Sequence, residues 1–284
     1  NRTFTLQKTP LSIEKHYVFL GVLFSSTGRF CKAIKRLCDQ SSRAMFAIFR
    51  KNRLLEIPID CQLKLFDQLV KPILLYGSEV WGYENTVALE RVHLKFCKYI
   101  LKVKSSTPDF MVYGELGRYP LSISVKLRML SYWCKLLSSC NKLSSLMYNV
   151  MFIFQNHNLN AKFPLILEIK SILDNTGFSY IWQRQEFQST HWLVNNVKTI
   201  LIDNFLQGWR ESKCNSSKGF YYNMFKNNLC LETYLLQLPL NVRVFITKLR
   251  TCNHRLPIET GRWFNIDKNK RFCQIGRASC RERV

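Results

Sequence analysis

The spacing of apolar residues along the chain changes close to residue 28. Residues 2–24 alternate between apolar and polar positions and are rich in β-branched and aromatic side chains, which predicts two short strands joined through a turn at Thr9-Pro10. After the breaker Ser25-Ser26-Thr27-Gly28 the apolar period becomes helical. The pattern therefore predicts a mainly α fold: a helical bundle with a short N-terminal β hairpin and a helical C-terminal region.

The helical part of the chain divides at polar breaks. The stretch QNHNLNAK (155–162) is the best linker candidate, and CNSSKG (214–219) marks a second break. The apolar period predicts helices over residues 29–55, 85–104, 120–140 and 142–154, and shorter ones near 164–174, 190–211 and 241–250. A further helix is predicted to begin at an Asp60 N-cap and to be kinked or restarted at Pro72.

Two of these helices pair an apolar face with a basic one. In helix 29–55 the basic residues recur at spacings of 3, 4, 7 and 7, and helix 85–104 repeats the arrangement at 4, 3 and 4. Acidic residues one turn away are sparse, so these faces predict contacts with a phosphate backbone. The predicted nucleic-acid-binding residues are Arg29, Lys32, Arg36, Arg43, Arg50, Arg91, Lys95, Lys98 and Lys102.

Composition strengthens this interpretation. The chain has 284 residues, and 42 Lys+Arg against 19 Asp+Glu give a formal net charge of +23. A charge so far from zero is typical of proteins whose partner is a polyanion, nucleic acid first and an acidic membrane surface second; a merely solvated basic surface is the alternative. With 47% hydrophobic residues the chain has ample material for a core, which argues against disorder.

The cysteines and the ends of the chain indicate the compartment. Eleven cysteines are scattered singly without a C-x-x-C pair, which suits a reducing nucleus or cytoplasm. The sequence shows no secretory signal and no apolar run near 18 residues. It begins at Asn1 with strand-like material, so we expect the reading frame to start upstream and the chain to be a fragment.

The pattern of chemistry-bearing residues predicts no independent catalysis. Seven Asp are dispersed rather than paired as a two-metal polymerase site requires, and the five His are also scattered. Phosphate-loop, dinucleotide, nucleophile-elbow and zinc-protease motifs are missing. We therefore expect no catalytic residue, metal site or cofactor in this chain.

Four segments carry a family resemblance. They are Tyr17–Val22 with Phe24–Gly28, Lys71–Gly82 (KPILLYGSEVWG), Val112–Arg118 (VYGELGR) followed by Pro120-Leu121, and Leu249–Trp263 (LRTCNHRLPIETGRW). In this order and spacing they resemble the reverse transcriptases of LINE-type (non-LTR) retrotransposons, downstream of the catalytic palm motif. The second segment is the most specific of the four.

The resemblance implies a noncatalytic fragment of an RNA-directed DNA polymerase. Residues 1–25 would be the end of the palm, with a primer-grip-like hairpin at Tyr17, Phe19, Leu20 and Gly21; residues 26–154 a thumb-like helical domain; and residues 155–274 a basic C-terminal region. The F-x-D-D motif and the endonuclease of this family are not in these residues. The implied partners are RNA and RNA–DNA template–primer duplex, bound mainly through the backbone, and the upstream palm and endonuclease domains, with no membrane. Mg²⁺ would serve the full-length polymerase.

The resemblance also bears on the C-terminus. In the family, R-x-C-x-x-C follows the fourth segment and leads into a zinc module. Cys273 would therefore be the orphan first ligand of a truncated module. One thiolate alone cannot hold Zn²⁺. Residues 275–284 (IGRASCRERV) resemble a translated sequencing adapter, and we exclude them from fold reasoning.

Alternatives remain at the level of function and of single residues. The chain can instead be a degenerate or host-adopted helical interaction module that contacts acidic proteins; a peripheral membrane protein is a third, less favoured class. Tyr76, Glu79 and Trp81 favour packing and internal hydrogen bonds over ligand contact. Gly21 favours a close backbone approach or a bend over ligand contact. The segment 243–271, with eight Lys/Arg, is a second candidate contact surface.

Overall fold

The computed structural model describes residues 5–6, 9–10, 12, 14–138, 142–156, 162–267 and 270–271. Within them the protein is mainly α, as the apolar period predicts. Residues 157–161 of the predicted linker lie outside the described residues. Cys273 and the adapter-like residues 275–284 also lie outside the described residues.

The strands form two antiparallel pairs near the N-terminus. Strand β1 (Thr5–Leu6) pairs with β2 (Thr9–Pro10), and β3 (His16–Phe19) pairs with β4 (Val22–Ser25). The prediction of a turn at Thr9-Pro10 is wrong: those residues form a strand, and the longer hairpin turns at Leu20-Gly21. Both turn residues have positive φ, 46° and 81°, the backbone that matches the twist of paired strands. Leucine rarely adopts a positive φ, so of the two turn residues only Gly21 indicates the turn in the sequence.

The helices account for most of the remaining chain. They are α1 (Cys31–Leu55), α2 (Ile59–Leu65), α3 (Lys71–Leu74), α4 (Ser78–Trp81), α5 (Val87–Leu101), α6 (Asp109–Leu116), α7 (Leu121–Ser138), α8 (Lys142–Asn156), α9 (Pro164–Asn175), α10 (Ser179–Arg184), α11 (Thr190–Asn215), α12 (Gly219–Phe225), α13 (Tyr234–Gln237), α14 (Leu240–Arg250) and α15 (Pro257–Trp263).

The long helices confirm the predicted pattern and the short ones depart from it. The helices α1, α7, α8, α9, α11 and α14 match their predicted spans within a few residues. The predicted Asp60 N-cap is wrong, because α2 begins at Ile59 and Asp60 lies in its first turn. Ahead of Pro72 the chain widens into a π-helical segment (Phe66–Val70) and restarts as α3. The short helices α6, α10, α12, α13 and α15 were not predicted, since four to eight residues are too few to show a period.

The chain folds as two compact units built from interleaved segments. The first unit comprises Asn1–Lys51, Leu65–Val92 and Leu121–Thr199, and the second comprises Asn52–Lys64, His93–Pro120 and Ile200–Val284. The predicted domain boundaries at residues 25 and 154 both fall inside the first unit. Tertiary contacts therefore group segments that are distant in sequence.

The core of the first unit centres on α4 and α7. Trp81 and Trp133 are completely buried there. A Cβ added at Gly82 would lie 2.4 Å from the carbonyl oxygen of Ser78 and 2.6 Å from Sδ of Met129. Glycine is therefore required at the point where α4 approaches α7.

In the second unit a smaller core joins α6, α11 and α12. Met111, Trp209 and Tyr222 are buried against one another. Trp209 Nε1 donates to the carbonyl oxygen of Phe110 at 2.8 Å, and the Tyr222 hydroxyl donates to that of Met111 at 3.2 Å. These bonds satisfy the polar atoms that the aromatic side chains bring into the core.

Candidate nucleic-acid interface

Helix α1 buries one face and exposes the other, as its sequence predicts. Ile34, Met45 and Ile48 are at most 5% exposed. At the start of the helix the carboxylate of Glu84 accepts the backbone N–H of Phe30 at 3.2 Å, and a negative group is favourable beside the positive end of a helix. Packing and capping together fix the helix that carries the first set of predicted binding residues.

The predicted basic residues of this segment form an exposed row, which we call the α1 basic row. Arg29, two residues before the helix, and Lys32, Arg36, Arg43 and Arg50 on it are all exposed. Lys32 and Arg50 are 18 positions apart, so the row extends over about 27 Å at about 1.5 Å per residue. Within the described residues no carboxylate lies at ion-pair distance from Arg36, Arg43 or Arg50.

A shallow groove lies along this row. It is lined by Lys32, Lys35, Arg36, Asp39, Ser42 and Arg43. Asp39 is the single acidic residue of α1, against seven Lys/Arg. Sequence reasoning missed Lys35. It follows Lys32 by three residues and therefore lies next to it on the helix surface. The groove offers clustered cations and a hydroxyl, which are typical partners of phosphate oxygens.

The hairpin β3–β4 is attached to the start of α1. Lys32 Nζ donates to Nε2 of His16 in β3 at 2.7 Å. The rings of Phe24 and Phe30 pack edge to face, 5.5 Å between centroids. The hairpin therefore lies beside the N-terminal end of the α1 basic row.

The primer-grip-like residues are at the exposed end of that hairpin. Tyr17, Phe19 and Leu20 are 64%, 55% and 75% exposed. The Tyr76 hydroxyl donates to the carbonyl oxygen of Leu20 at 2.6 Å, and a Cβ at Gly21 would lie 3.2 Å from Cε1 of Tyr76. The expected close approach at Gly21 is confirmed, and Tyr76 holds the turn.

The segment KPILLYGSEVWG is structural, as its aromatic spacing indicates. Trp81 is buried and its Nε1 donates to the carbonyl oxygen of Tyr76 at 2.8 Å. Gly77, at φ +68°, allows the reversal between them. Arg128 Nη1 donates to the carbonyl oxygen of Leu75 at 2.8 Å and lies 3.9 Å from the Glu79 carboxylate. These contacts hold the segment together and join it to α7, and the bond from Tyr76 to Leu20 joins it to the first resemblance segment.

The second predicted row, on α5, is not continuous. Arg91 and Lys95 are exposed, one turn apart. Lys98 is held by internal bonds, because its Nζ lies 2.8 Å from both Asp109 Oδ1 and the carbonyl oxygen of Ser105. Lys102 follows the helix end with φ +55°, and its Nζ lies 4.2 Å from the centre of the Tyr99 ring. The spacing of the four basic residues is as predicted, but α5 ends at Leu101, before Lys102, and Asp109 of α6 pairs with Lys98.

Sequence reasoning missed a buried group of charges in the second unit. Glu115 is completely buried, and Arg250 Nε and Nη2 both donate to its carboxylate at 3.0–3.1 Å. The Tyr234 hydroxyl also donates to Glu115 at 2.6 Å. Beside this group Glu232 pairs with Lys226 and lies 3.3 Å from Arg250. The signal was available: Glu115 and Arg250 are oppositely charged residues within the third and fourth resemblance segments.

The charge states in this group follow from burial and pairing. Burial alone would lower the pKa of Arg250, but the hydrogen bonds and charge of Glu115, with Glu232, raise it. Burial, and then the charge of Glu115, raise the pKa of Tyr222 and of Tyr234. Both tyrosines therefore stay neutral and act as hydrogen-bond donors.

The C-terminal segment 243–271 is only partly a surface. Arg250 is internal; Arg262 Nη1 lies 2.9 Å from buried Glu259, and its Nη2 donates to Ser217 O at 3.0 Å. Arg271 donates to Ile266 O at 2.8–2.9 Å. Lys248 and Arg255 are exposed. Several cations of this candidate contact surface bond to buried carboxylates or carbonyls, so only its exposed cations are available to a partner.

The described ranges contain neither a cluster of metal ligands nor a membrane-spanning helix. There, no group of three or more His, Cys, Asp or Glu is placed to hold a metal ion. No helix in that part of the chain has the length and apolar character needed to cross a membrane.

Comparisons with known proteins add no relative. No protein-family model, curated protein or solved structure matches the chain. The interpretation of function therefore depends on the geometry and charge described above and on the sequence resemblance.

Proposed function

We propose that the chain binds the sugar-phosphate backbone of an RNA–DNA template–primer duplex as a noncatalytic part of a LINE-type RNA-directed DNA polymerase. The observation that carries the proposal is the α1 basic row, exposed on one helix and attached to the hairpin. The four resemblance segments support the polymerase assignment.

The geometry of the row suits a phosphate backbone. A rigid helix keeps its cations in line over about 27 Å, and a nucleic-acid strand carries a phosphate about every 3.4 Å. Contacts of this kind position a duplex without reading its bases, so we expect binding without sequence preference. Tyr17, Phe19 and Leu20 at the hairpin end are exposed for contact with the sugar or base of a strand end.

Salt dependence tests the binding half of the proposal. Fluorescence anisotropy with a labelled RNA–DNA hybrid, at several salt concentrations, gives the slope of log affinity against log salt. Replacing Arg36, Arg43 and Arg50 by Glu removes three contacts, and we expect a slope shallower by about 3 and an affinity lower by at least about a hundredfold near 0.1 M salt.

A matched variant separates the row from total charge. Lys135, Lys170 and Lys198 are exposed on α7, α9 and α11, and replacing them by Glu changes the net charge by the same amount. We expect this triple variant to keep most of the slope of the unaltered chain. Equal losses in the two triple variants would remove the α1 basic row from the interface.

The polymerase half requires a separate measurement. Long-read sequencing of the genomic locus across both ends tests whether the frame continues upstream into F-x-D-D and downstream through R-x-C-x-x-C. A continuous frame supports a polymerase part, whereas flanking stop codons support a remnant whose activity is binding alone.

A further inference from the structure

A cavity of about 350 Å³ opens in the second unit, remote in sequence from the hairpin. It lies where α1 and α5 end and α14 begins. Its volume is within the range of small-molecule sites, and its lining mixes apolar walls with a few polar groups, as such sites do.

The cationic groups of the cavity favour an anion. Arg53, Lys102 and Arg243 line it, against one carboxylate, Glu56. Helix α14 begins at the same place with Pro239 at its N-cap position and no side chain capping it, so the positive end of the helix faces this region. Burial lowers the pKa of Arg243 and the charge of Glu56 raises it, which marks Arg243 as a partly desolvated cation.

A buried acceptor in the lining needs a donor. Gln62 is 2% exposed, and its Nε2 donates to the carbonyl oxygen of Ile57 at 2.6 Å. This bond fixes the orientation of the amide, since only the nitrogen can donate to a carbonyl. Within the described residues the other amide atom, Oε1, has no hydrogen-bond partner. A ligand N–H group is a natural complement to such an oxygen.

The remaining walls are apolar. Ile100, Leu238 and Leu240 contribute aliphatic side chains. A cavity lined by aliphatic side chains, cations and an unpaired acceptor suits a heterocycle that carries both a phosphate and an amino group.

We propose that this cavity binds a free mononucleotide, with its phosphate at Arg53, Lys102 and Arg243 and the amino group of its base at Gln62. The proposal does not depend on duplex binding by the α1 basic row. Cations are in general favourable beside the last carbonyls of a helix, and the test separates that structural role from ligand binding.

Calorimetric titration of the full chain with adenosine 5′-monophosphate tests the site. Purine riboside 5′-monophosphate lacks the amino group, and adenosine lacks the phosphate, so we expect each to bind at least about tenfold more weakly. Binding of purine riboside 5′-monophosphate as tight as that of adenosine monophosphate would overturn the assignment to Gln62. No binding of adenosine monophosphate up to about 10 mM would overturn the proposal as a whole, because the weakest specific sites bind at about millimolar ligand.

Variants connect binding to the cavity. Arg243→Gln is expected to weaken adenosine monophosphate binding about tenfold or more, whereas Lys248→Gln, exposed on the same helix, is expected to leave it unchanged. Lys102→Gln, at an exposed position, gives a second reading if Arg243→Gln fails to fold. Equal effects of Lys102→Gln and Lys248→Gln, or a lowered unfolding midpoint with undiminished binding, would show that the cations are only structural.

Discussion

The basic residues of α1 and several of those in the segment 243–271 are of the same types but have opposite surroundings. Along α1 the guanidinium and ammonium groups are exposed, and in the described part of the chain no carboxylate lies at ion-pair distance from Arg36, Arg43 or Arg50. In the C-terminal segment Arg250 and Arg262 lie against Glu115 and Glu259, which are 0% and 1% exposed. A high count of cationic residues thus indicates a polyanion partner only where those residues do not form ion pairs with carboxylates inside the protein.

The difference has an energetic origin. A charge can be buried only if an opposite charge and hydrogen bonds compensate for lost hydration, and Glu115 supplies both to Arg250. An exposed cation needs no partner and is stabilised by water, so it stays free to exchange water and counterions for phosphate. The two segments can therefore be separated by substitution.

Breaking the buried pair should have the largest effect. Glu115→Gln leaves Arg250, whose side chain is 13% exposed, with Glu232, which also pairs with Lys226, as its counter-charge, and we expect the free energy of unfolding to fall by about 3 kcal/mol. Urea denaturation measures it. The matched change on α1, Arg43→Gln, should stay within about 0.5 kcal/mol.

The pair can be tested further by a double substitution. Arg250→Met alone strands the Glu115 carboxylate, so adding Glu115→Gln to it should recover part of the lost stability. Strictly additive losses would show that the two side chains do not act together, and the comparison between the two segments would fail.

The next largest effect concerns binding. Neutralising Arg36 and Arg43 to Gln should make the salt slope for an RNA–DNA hybrid shallower by about 2 and lower affinity by roughly fiftyfold near 0.1 M salt. Neutralising Lys248 and Arg255, exposed in the C-terminal segment, should change affinity by no more than about threefold if that segment is mainly internal. The reverse order would place the contact surface in the C-terminal segment instead.

A smaller effect should appear in the pH dependence of stability. Burial raises the pKa of Glu259, and Arg262 and Lys218 oppose the rise only in part. Because the folded pKa lies above the unfolded one, this group favours folding below the unfolded pKa, and that contribution is lost as pH rises through the folded pKa. The unaltered chain should lose stability relative to Glu259→Gln over that interval, as urea unfolding at pH 4, 6 and 8 can show. Parallel profiles would mean that Arg262 fully compensates for burial.

The smallest effect should come from Lys98. Its bonds to Asp109 and Ser105 make it a structural residue, so Lys98→Gln should lower stability by about 1 kcal/mol or less and change hybrid affinity no more than twofold. Anisotropy and urea unfolding of the same preparation give both numbers. A loss of binding as large as that from Arg36→Gln would return Lys98 to the interface.

Local pattern predicted the long elements and the first half of the candidate interface. The 3.6-residue period of α1 is local information, and it also indicates which side chains face outward, so the α1 basic row was found from sequence. The period does not show where a helix stops or which distant group approaches it. For that reason the internal bonds of Lys98 on α5 could not be predicted, and the short helices α6 and α12 were missed.

The sequence by itself determined a mainly α chain, a break near residue 28, and a basic face on α1, because periodicity and charge are properties of neighbouring residues. Only the tertiary structure decided that the hairpin turns at Leu20-Gly21, where Tyr76 packs against it, and that Arg250 is internal. Glu115 and Arg250 are 135 positions apart. Whether a charge is buried or solvated depends on such long-range contacts, and no local pattern records them.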